Sequence, residues 1–338
     1  MAIEFYKGFD TYVIYGEETS YGAGASPAAG NKIGKVTNVS LNMNNNMIRS
    51  QSMGDGRNAT SSVAGPFDVS GTLDFDVDDF TFMQYAIGTI QGSGTAADPY
   101  ELVELDNIGY DATNIPTIAL EFGSEGDATD DVTTVSGVVL SGLTLTANAG
   151  ETLKGSCDWI GKVPTASTSL ESYTPSTNAP FVFQQGTVDI SGDSFQCTSF
   201  SWTLSNNIQT YRNLGDRFIA QPTTGLRRYD FSITFRFKYD DTGGVMSGTE
   251  LRDIFFGASN TPTTGGALTA KNVSLDISEG AASGDRVVAI DLEDCFINDW
   301  TQPMPLEGGV FEITVNGYGH KGLTDSGDLV PIRWYTVA

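Results

Sequence analysis

The chain has 338 residues, of which 11 % are aromatic and 18 % charged, and its formal net charge is −24. This length is sufficient for two domains with separate cores. An acidic surface of this kind repels phosphate backbones and anionic membranes, so the composition excludes a protein that binds nucleic acid tightly. No apolar run in the sequence is long enough for a transmembrane helix.

The residue types favour β structure in a reducing compartment. The many Thr, Ser, Val and Gly residues favour short strands and tight turns over helices. Cys157, Cys197 and Cys295 are an odd number of cysteines, and we expect them to be small buried side chains rather than disulfide partners. The first residues do not combine a charged segment with an apolar core, so we expect no secretory signal peptide.

Residues 1–35 are predicted to form an N-terminal arm. One short strand, residues 12–15, precedes a segment rich in Gly, Ala and Ser, which is typical of extended segments that depend on a partner. The next predicted strand covers residues 36–43. A long stretch without apolar periodicity, residues 44–67, follows it, and loops of this length in a compact domain are usually functional or disordered.

Strict alternation of apolar and polar residues predicts a strand over residues 69–77, with Asp74 and Asp76 on its polar face. A short helix that ends in glycine is predicted at residues 80–88. The segment 89–114 has turn-forming residues throughout, and we expect it to be an insertion on the outside. The remaining strands of this first half are predicted over residues 117–122, 135–147 and 152–160.

A connector rich in Pro, Ser and Thr, residues 163–195, leads to a second half with the same order of elements. Its long loop covers residues 205–228, and its alternating strand begins at Phe231. Its helix is predicted at residues 248–257. Residues 321–338 form a tail that ends in a predicted strand. The other strands of this half are predicted over residues 272–277, 286–296 and 310–317.

The two halves also match residue by residue. "NVSLNMNNNMIRSQSMGD" (38–55) aligns with "SFSWTLSNNIQTYRNLGD" (199–216) at an offset of 161, and after a slip of one residue 69–79 aligns with 231–241. "LKGSCDWIGK" (153–162) aligns with "FEITVNGYGH" (311–320) at an offset of 158. Because an internal repeat fixes the architecture, we predict one β unit used twice. The first module covers residues 36–162 and the second covers residues 196–320.

The modules differ in charge. In the alignment above, Asp74 and Asp76 of the first module correspond to Arg236 and Lys238 of the second. The second module also concentrates basic residues in and after its long loop, namely Arg212, Arg217, Arg227 and Arg228. We expect some of these bases to meet acids of a neighbouring module, since complementary charges fix orientation; exposed, solvated faces are the alternative.

Motifs for metals and cofactors are weak. "DFDVDDF" begins like a calcium loop, but Asp79 stands where the turn needs Gly and Tyr85 where it needs Glu. "GSGTAA" (92–97) fits a dinucleotide fingerprint but is followed by Asp-Pro instead of a helix. His320 is the only histidine, and no cysteine pair has zinc spacing. We expect neither a cofactor nor a metal.

An enzyme is not favoured either. A Ser-His-Asp triad would depend on His320, and no G-x-S-x-G elbow is present. A glycosidase needs two carboxylates beside an aromatic cleft, whereas the four tryptophans, Trp159, Trp202, Trp300 and Trp334, lie on or beside predicted core strands. A two-domain hydrolase therefore ranks third, after a structural protein and a binding protein.

The opening of the chain, "YVIYGEETSYGAGASPAAGNKIGKV", carries a resemblance to a known family. The turn "GEETSYG" at residues 16–22 and the lysines Lys32 and Lys35 before the first module strand resemble the start of tail tube (major tail) proteins of long-tailed phages and related archaeal viruses. The order of paired strands, long loop and helix is also similar to the tube module shared with the type VI secretion inner tube.

This resemblance implies an assembly. In the family, six modules form a ring whose sheets join into one continuous β-barrel, and rings stack into a tube. Two β-sandwich modules in one chain then imply three chains per ring. The implied partners are further copies of the chain, other tail proteins (tape measure, tail terminator, baseplate or tip) and viral DNA in loose transit, with no membrane. The implied location is the virion tail, assembled in the host cytoplasm.

The resemblance also implies roles for residues. Asp74, Asp76 and Asp78 are the candidates for acids that face the lumen, and Arg236 and Lys238 for charges between modules. The alternative function is a β-sandwich that binds or decorates a virion or cell surface. Residues of the two long loops are the candidates for contacts between rings: Arg49, Asp55, Arg57, Arg212, Asp216, Arg217, Arg227 and Arg228.

Overall fold

The computed structural model of the chain describes residues 8–28, 31–51, 53, 61–104, 116–126, 129–190, 192–195, 197–236, 248–257, 262, 268, 270–303, 312–325 and 328–338. Within these residues the structure is mostly β with two short α-helices, which confirms the predicted fold class. Neither helix in this part of the chain is long and apolar enough to span a membrane.

The first half of the chain begins with a short 3-10 turn, and a second one, Thr81–Met83, leads into its helix. Its strands alternate between buried and half-exposed residues, as in β6, because one face packs on the core. The elements are β1 Thr11–Glu17, β2 Lys35–Val39, β3 Asn42–Asn44, β4 Ile48–Ser50, β5 Ser61–Val63, β6 Asp68–Asp76, α1 Gln84–Ile87, β7 Gly88–Gln91, β8 Tyr100–Glu104, β9 Ile118–Ser124, β10 Asp131–Asn148, β11 Lys154–Gly161 and β12 Val163–Ser167.

The second half repeats this order. Its helix ends at Gly257, which has a φ of 94° and donates its N–H to the Asp253 carbonyl at 2.8 Å, the usual role of a glycine after a helix. The elements are β13 Gly186–Ile190, β14 Asp193–Phe195, β15 Cys197–Ser205, β16 Gln209–Tyr211, β17 Gln221–Thr223, β18 Arg228–Arg236, α2 Gly248–Phe256, β19 Lys271–Ser278, β20 Arg286–Thr301, β21 Glu312–Gly319, β22 Lys321–Asp325, β23 Asp328–Val330 and β24 Ile332–Thr336.

One antiparallel sheet, which we call the large sheet, runs through both halves. Its strand order is β2 with β3, then β6, β11, β10, β15, β18, β21 and the C-terminal part of β20. The first four positions come from the first module and the last four from the second. The modules meet where β10 pairs with β15, and we call this strand pair the junction.

A second layer covers one face of the large sheet. It consists of β1, β9, β12 and the N-terminal part of β10 in the first half, and of β13, β19, β24 and the N-terminal part of β20 in the second. The long strands β10 and β20 therefore belong to both layers. The core lies between the layers and contains fully buried aromatic side chains from both modules, including Trp159, Trp202 and Phe75.

The two halves agree in detail. The pairing of β2 shifts between Val36 and Asn38, and that of β15 shifts at the equivalent place, between Cys197 and Ser199. The pairing of β10 with β11 shifts between Leu140 and Gly142, and that of β20 with β21 between Ile297 and Asp299. β-bulges are specific features of a strand rather than defects. Equivalent bulges in both halves therefore support a duplicated unit.

Turn conformations agree as well. Asn46 and Asn207, at the end of the first module strand in each half, have positive φ angles of 42° and 46°. Residues other than glycine rarely have positive φ angles, and asparagine has them more often than most. Each side-chain amide reaches across its loop: Asn46 Nδ2 donates to the Pro66 carbonyl at 3.0 Å, and Asn207 Nδ2 donates to the Leu226 carbonyl.

The strand pairing corrects one part of the sequence alignment. Met43 pairs with Val69, and its equivalent Leu204 pairs with Tyr229, so β6 corresponds to β18 at an offset of 160 rather than 162. Asp76 is then equivalent to Arg236. The alternating pattern missed this because its period is two, so a shift by two residues leaves the pattern unchanged.

The arm and the connector are more structured than their composition predicts. β1 pairs with β9 along its whole length and buries Val13, Ile14 and Tyr15, so this part of the arm contributes to the core of its own chain. β13, inside the predicted connector, pairs with β19 in the same way. Small residues around a strand are compatible with a core strand when a neighbouring strand completes its hydrogen bonds.

The insertion, residues 89–114, is described up to residue 104. β7 and β8 form a hairpin whose second strand pairs with β24 of the second half. Leu102 and Val103 are buried there, so this part of the insertion is not on the outside, as the turn-forming composition predicts, but extends the second layer. The first half is thereby linked to the second by a strand pair in the second layer, in addition to the junction.

Candidate functional site

The uncovered face of the large sheet is mostly hydrophilic, apart from Phe296 on β20 and Tyr318 on β21, whose ring centroids are 5.9 Å apart. Alternation places the apolar residues of β6, β11, β15, β18 and β21 in the core and their polar residues on the opposite face. Hydroxyl groups on this polar face meet across neighbouring strands at 2.9–3.2 Å, in the pairs Ser40–Thr72, Thr144–Thr203 and Thr234–Thr314.

Charges on the polar face are mainly negative. The acidic and basic residues lie at the same alternating positions as the hydroxyl groups, and the acids outnumber the bases. The acids are Asp68, Asp74, Asp76, Asp158, Asp230, Asp299 and Glu312, and the bases are Lys35, Lys154, Arg228 and Arg236. A surface of hydroxyl groups with excess negative charge repels a polyanion and offers it few cationic contacts.

The three predicted lumen acids do not lie together. Asp74 and Asp76 are on the polar face, where Ser156 Oγ donates to Asp74 at 2.6 Å and Thr152 Oγ1 donates to Asp76 at 2.8 Å. Asp78 follows the end of β6 and is buried, with only 2 % of its surface exposed. Burial raises the pKa of Asp78, and neither of its carboxylate oxygens has a hydrogen-bond partner within the described residues. Asp78 therefore does not belong to the polar face.

The same arrangement explains why the D-x-D-x-D spacing does not make a calcium loop. Strand geometry places Asp74 and Asp76 on one face, whereas Asp78 lies in the interior, so the three carboxylates do not converge. Among the described residues, no group of three or more His, Cys, Asp or Glu side chains is arranged to hold a metal ion.

The junction is packed like the interior of a domain. Leu143 lies opposite Leu204 and Leu145 lies opposite Trp202, and all four side chains are buried. On the polar face the hydroxyls of Thr144 and Thr203 are 3.2 Å apart. The two modules are thus joined by a continuous ladder with an apolar side and a polar side, not by a flexible linker.

Asn206 closes one end of the junction. Its side chain is 5 % exposed, its Nδ2 donates to the Ala86 carbonyl at 2.9 Å and to the Leu140 carbonyl at 3.1 Å, and its N–H donates to the Ser141 carbonyl at 2.9 Å. These partners all belong to the first module. A buried amide that satisfies carbonyls of another module fixes the relative position of the two modules.

Arg227 stabilises the same region from the second module. Its guanidinium donates to the Ile87 carbonyl at 2.9 Å at the C-terminal end of α1 and to Asn206 Oδ1 at 3.2 Å, and it forms an ion pair with Glu104 at 3.3 Å. Cations are favourable near the last carbonyls of a helix. The residue predicted to contact another ring is therefore part of the contact between modules of one chain.

The two long loops form β-ribbons that touch each other. β4 pairs with β5, and β16 pairs with β17, at equivalent positions of the two modules. Arg212 forms an ion pair with Asp68, Arg217 Nε donates to the Gly65 carbonyl at 2.8 Å, and the rings of Phe67 and Phe218 meet edge to face at 5.8 Å. The ribbon of the second module thus rests on the base of the first ribbon.

The remaining predicted site residues do not lie together in one site. Arg228 pairs with Asp230 at 2.8 Å and Arg236 with Glu312 at 3.7 Å, both within the second module. Asp216 accepts the N–H of Phe218 at 2.9 Å in the loop turn. Arg49 is exposed on β4. Asp55, Arg57 and Lys238 lie outside the described residues.

The two outer strands of the large sheet lack the neighbour that their counterparts have at the junction. Within the described part of the chain, β3 pairs only with β6, and the end of β20 pairs only with β21. Val39 and Met43 are 38 % and 52 % exposed, whereas the equivalent Phe200 and Leu204 are at most 1 % exposed. We call these two borders the β3 edge and the β20 edge.

Sequence reasoning missed the β20 edge. The predicted strand ends at residue 296, whereas β20 continues to Thr301 and presents Trp300 near the edge. The bulge after Ile297 interrupts the alternation, and so the apolar positions no longer recur at every second residue. The only signal was Trp300 itself, a large apolar side chain just beyond the predicted strand.

The fold and the site define a mostly β protein made from two related sandwich units that share one continuous sheet. The model of the phage tail tube protein family matches residues 8–293, and the chain belongs to this family. Membership supports a structural role in the tail tube of a virion. No curated protein matches the chain.

Proposed function

We propose that the chain is the subunit of a tail tube in which three copies form a ring, rings stack, and viral DNA passes through the lumen. The junction carries this proposal. It joins one module to the next through strand pairing, and the large sheet ends on either side in strands that correspond to the two junction strands. Repeating the same contact between chains closes a ring without leaving open edges.

The width of such a ring fits a channel. Each chain supplies four strand positions per module to the large sheet, so three chains supply roughly 24 strands. Since barrels of about 16–18 strands already contain an aqueous channel, this number leaves a wider one. The ring would be a pseudo-hexamer, with two similar modules in each of three chains.

The polar face is the candidate lining of the lumen. The second layer and both helices cover the other face of the large sheet, and this bulkier layer fits the larger outer circumference of a ring. The lining would then consist of the hydroxyl pairs and the excess of acids that includes Asp74 and Asp76. Repulsion between these acids and phosphates lets DNA pass without being held.

Stacking needs a second contact along the tube axis. The loop ribbons expose large apolar side chains, with Leu214 and Met53 fully exposed and Ile48 and Val63 more than half exposed. Exposed apolar clusters of this kind mark protein contacts. We assign the ribbons, with Arg49 and Asp216, to contacts between rings, and we expect other tail proteins to cap the tube at its ends.

Negative-stain electron microscopy of the purified chain tests the proposal. We expect rings and hollow rods of uniform width, and a mass of three chains for the smallest closed ring in native mass spectrometry. A protein that decorates a virion or binds a cell surface would remain monomeric or form small oligomers without a lumen. Rods with a closed ring of another stoichiometry would overturn the three-chain ring while leaving tube formation intact.

A further inference from the structure

The junction provides a template for the contact between chains, because it joins strands whose equivalents are the two open edges. Equivalent bulges relate β20 to β10 at an offset of 157, since the shift after Leu140 corresponds to the shift after Ile297. The repeat relates β3 to the end of β15 at an offset of 161, since Met43 and Leu204 occupy equivalent pairings. The junction register therefore translates into one register for the two edges.

From this geometry we infer that the β20 edge of one chain pairs antiparallel with the β3 edge of a second copy, in the register of the junction. The inference rests on the proposed ring. At the junction Leu143 lies opposite Leu204, so at the edges Trp300 lies opposite Met43. Likewise Thr144 lies opposite Thr203 at the junction, so Thr301 lies opposite Asn42 at the edges. By the same translation Asp299 lies opposite Asn44.

The exposed side chains fit this register. Met43 lies on the core side of β3 but is 52 % exposed, because no strand covers it in the single chain. Trp300 is partly buried beside Phe255, with ring centroids 5.8 Å apart. Placing the thioether of Met43 against the Trp300 ring buries both apolar surfaces and makes a favourable sulfur–aromatic contact.

The polar side of the same edges is complementary as well. Thr301 and Asn42 both carry groups that donate and accept hydrogen bonds, so they extend the row of hydroxyl pairs across the contact. Asn45, the equivalent of Asn206, stands at the end of β3, and its N–H would donate to the Asn298 carbonyl of the second copy as that of Asn206 donates to the Ser141 carbonyl.

Disulfide trapping in assembled protein tests the register. Residues 144 and 203 lie directly opposite each other, with their hydroxyls 3.2 Å apart, so we expect cysteines at the equivalent positions to be close enough to form a disulfide. The test variant is Asn42→Cys with Thr301→Cys. Replacing Cys197 with Ser removes the one native thiol that is not fully buried. The matched control, Asn42→Cys with Asp299→Cys, shifts the register by two residues along the same face.

After mild oxidation we expect chains linked through residues 42 and 301, with a linked fraction several-fold above that of the shifted control, because diagonal neighbours are about 7–8 Å apart. Non-reducing electrophoresis measures the linked fraction. The variant Thr144→Cys with Thr203→Cys is the internal reference, since it should form the same bond within one chain. Rings that form normally but link through the shifted pair, or through neither pair, overturn the register and leave the proposed function standing. Chains that stay monomeric at every concentration overturn both.

Discussion

The junction and the open edges are built from equivalent strands, yet they differ in burial. At the junction Leu204 is completely buried and Asn206 satisfies two carbonyls of the other module, whereas Met43 is half exposed at the β3 edge. The strands and bulges are the same, so local sequence does not cause the difference. Only the presence of a neighbouring strand does, and this supports the proposal that the two edges meet in a contact between chains.

The junction and the proposed contact between chains are nevertheless chemically distinct. Arg227, which stabilises the junction, is equivalent to Phe67, and Asp68, which pairs with Arg212, is equivalent to Arg228. The charges that hold the two modules of one chain together are therefore absent or reversed at the corresponding places of the edges. Such differences let a contact within a chain and a contact between chains share a geometry without being interchangeable.

The largest expected effect is a difference in the free energy of unfolding between a substitution at a buried position and one at the equivalent exposed position. Leu204→Ala removes a fully buried side chain at the junction, and we expect it to lower the free energy of unfolding by roughly 2–5 kcal/mol. Met43→Ala, at the equivalent position, should leave the single chain within about 0.5 kcal/mol of the parent but weaken ring formation. Urea unfolding measures the stability of the single chain, and electron microscopy measures ring formation. Equal destabilisation by both substitutions would contradict the proposed difference between junction and edge.

The next comparison concerns the two asparagines. Asn206→Ala leaves the Ala86 and Leu140 carbonyls without their donor in a buried site, and we expect a loss of about 1–3 kcal/mol. Asn45→Ala removes the hydrogen bond that Arg217 makes to Asn45 Oδ1 at 2.7 Å on the surface, which should cost less than about 1 kcal/mol. Thermal unfolding of the two variants, each against the parent, gives the ranking. A larger loss for Asn45→Ala would show that the amide of Asn206 does not hold the modules together.

A third prediction compares the two modules through the dependence of the free energy of unfolding on pH. In the second module Asp291 is partly buried beside Arg333, with the two charged groups 3.2 Å apart, and this burial raises the pKa of Asp291 to about 6. The equivalent residue of the first module is Thr134. The folded chain therefore retains this proton at a pH where the unfolded chain has lost it. The free energy of unfolding should fall by up to about 2–3 kcal/mol as pH rises from about 4 to 6.

Asp291→Asn tests this assignment, because it removes the titrating group and keeps the size of the side chain. Denaturant unfolding at several pH values should show a smaller decline between pH 4 and 6 in the variant than in the parent, relative to the control Asp299→Asn on the polar face. An unchanged decline in Asp291→Asn would assign it to other carboxyls, first of all to Asp276, whose pKa is also raised by burial.

The smallest effect is expected for the charge reversal between modules. Asp76 lies opposite Lys154 in the first module, and Arg236 lies opposite Glu312 in the second, with both members of the Arg236–Glu312 pair about half exposed. Because exposed ion pairs contribute little, Arg236→Ala should change the free energy of unfolding by less than about 1 kcal/mol. Measurable loss of rings in this variant, at unchanged chain stability, would instead give Arg236 the role between modules that its position in the sequence predicts.

Sequence by itself determined the elements whose pattern is local. The alternation of apolar and polar residues located β6 and β18, because one face of each strand is buried. The repeated spacing around Asn45 and Asn206 predicted a duplicated unit, because two copies of one fold need the same turns and bulges at the same places. The resemblance of the N-terminal segment and of the module order to tail tube proteins pointed to a structural role, which membership in the tail tube family supports.

Tertiary structure alone decided what depends on distant neighbours. Strand pairing over long sequence separations set the register of β6 and β18, extended β20 to Thr301, and joined β10 to β15. Packing buried Asp78 and drew Arg227 into the contact between modules. A residue carries the same periodic pattern whether its strand lies at the centre or the border of a sheet, and only the three-dimensional arrangement shows which strands still lack a partner.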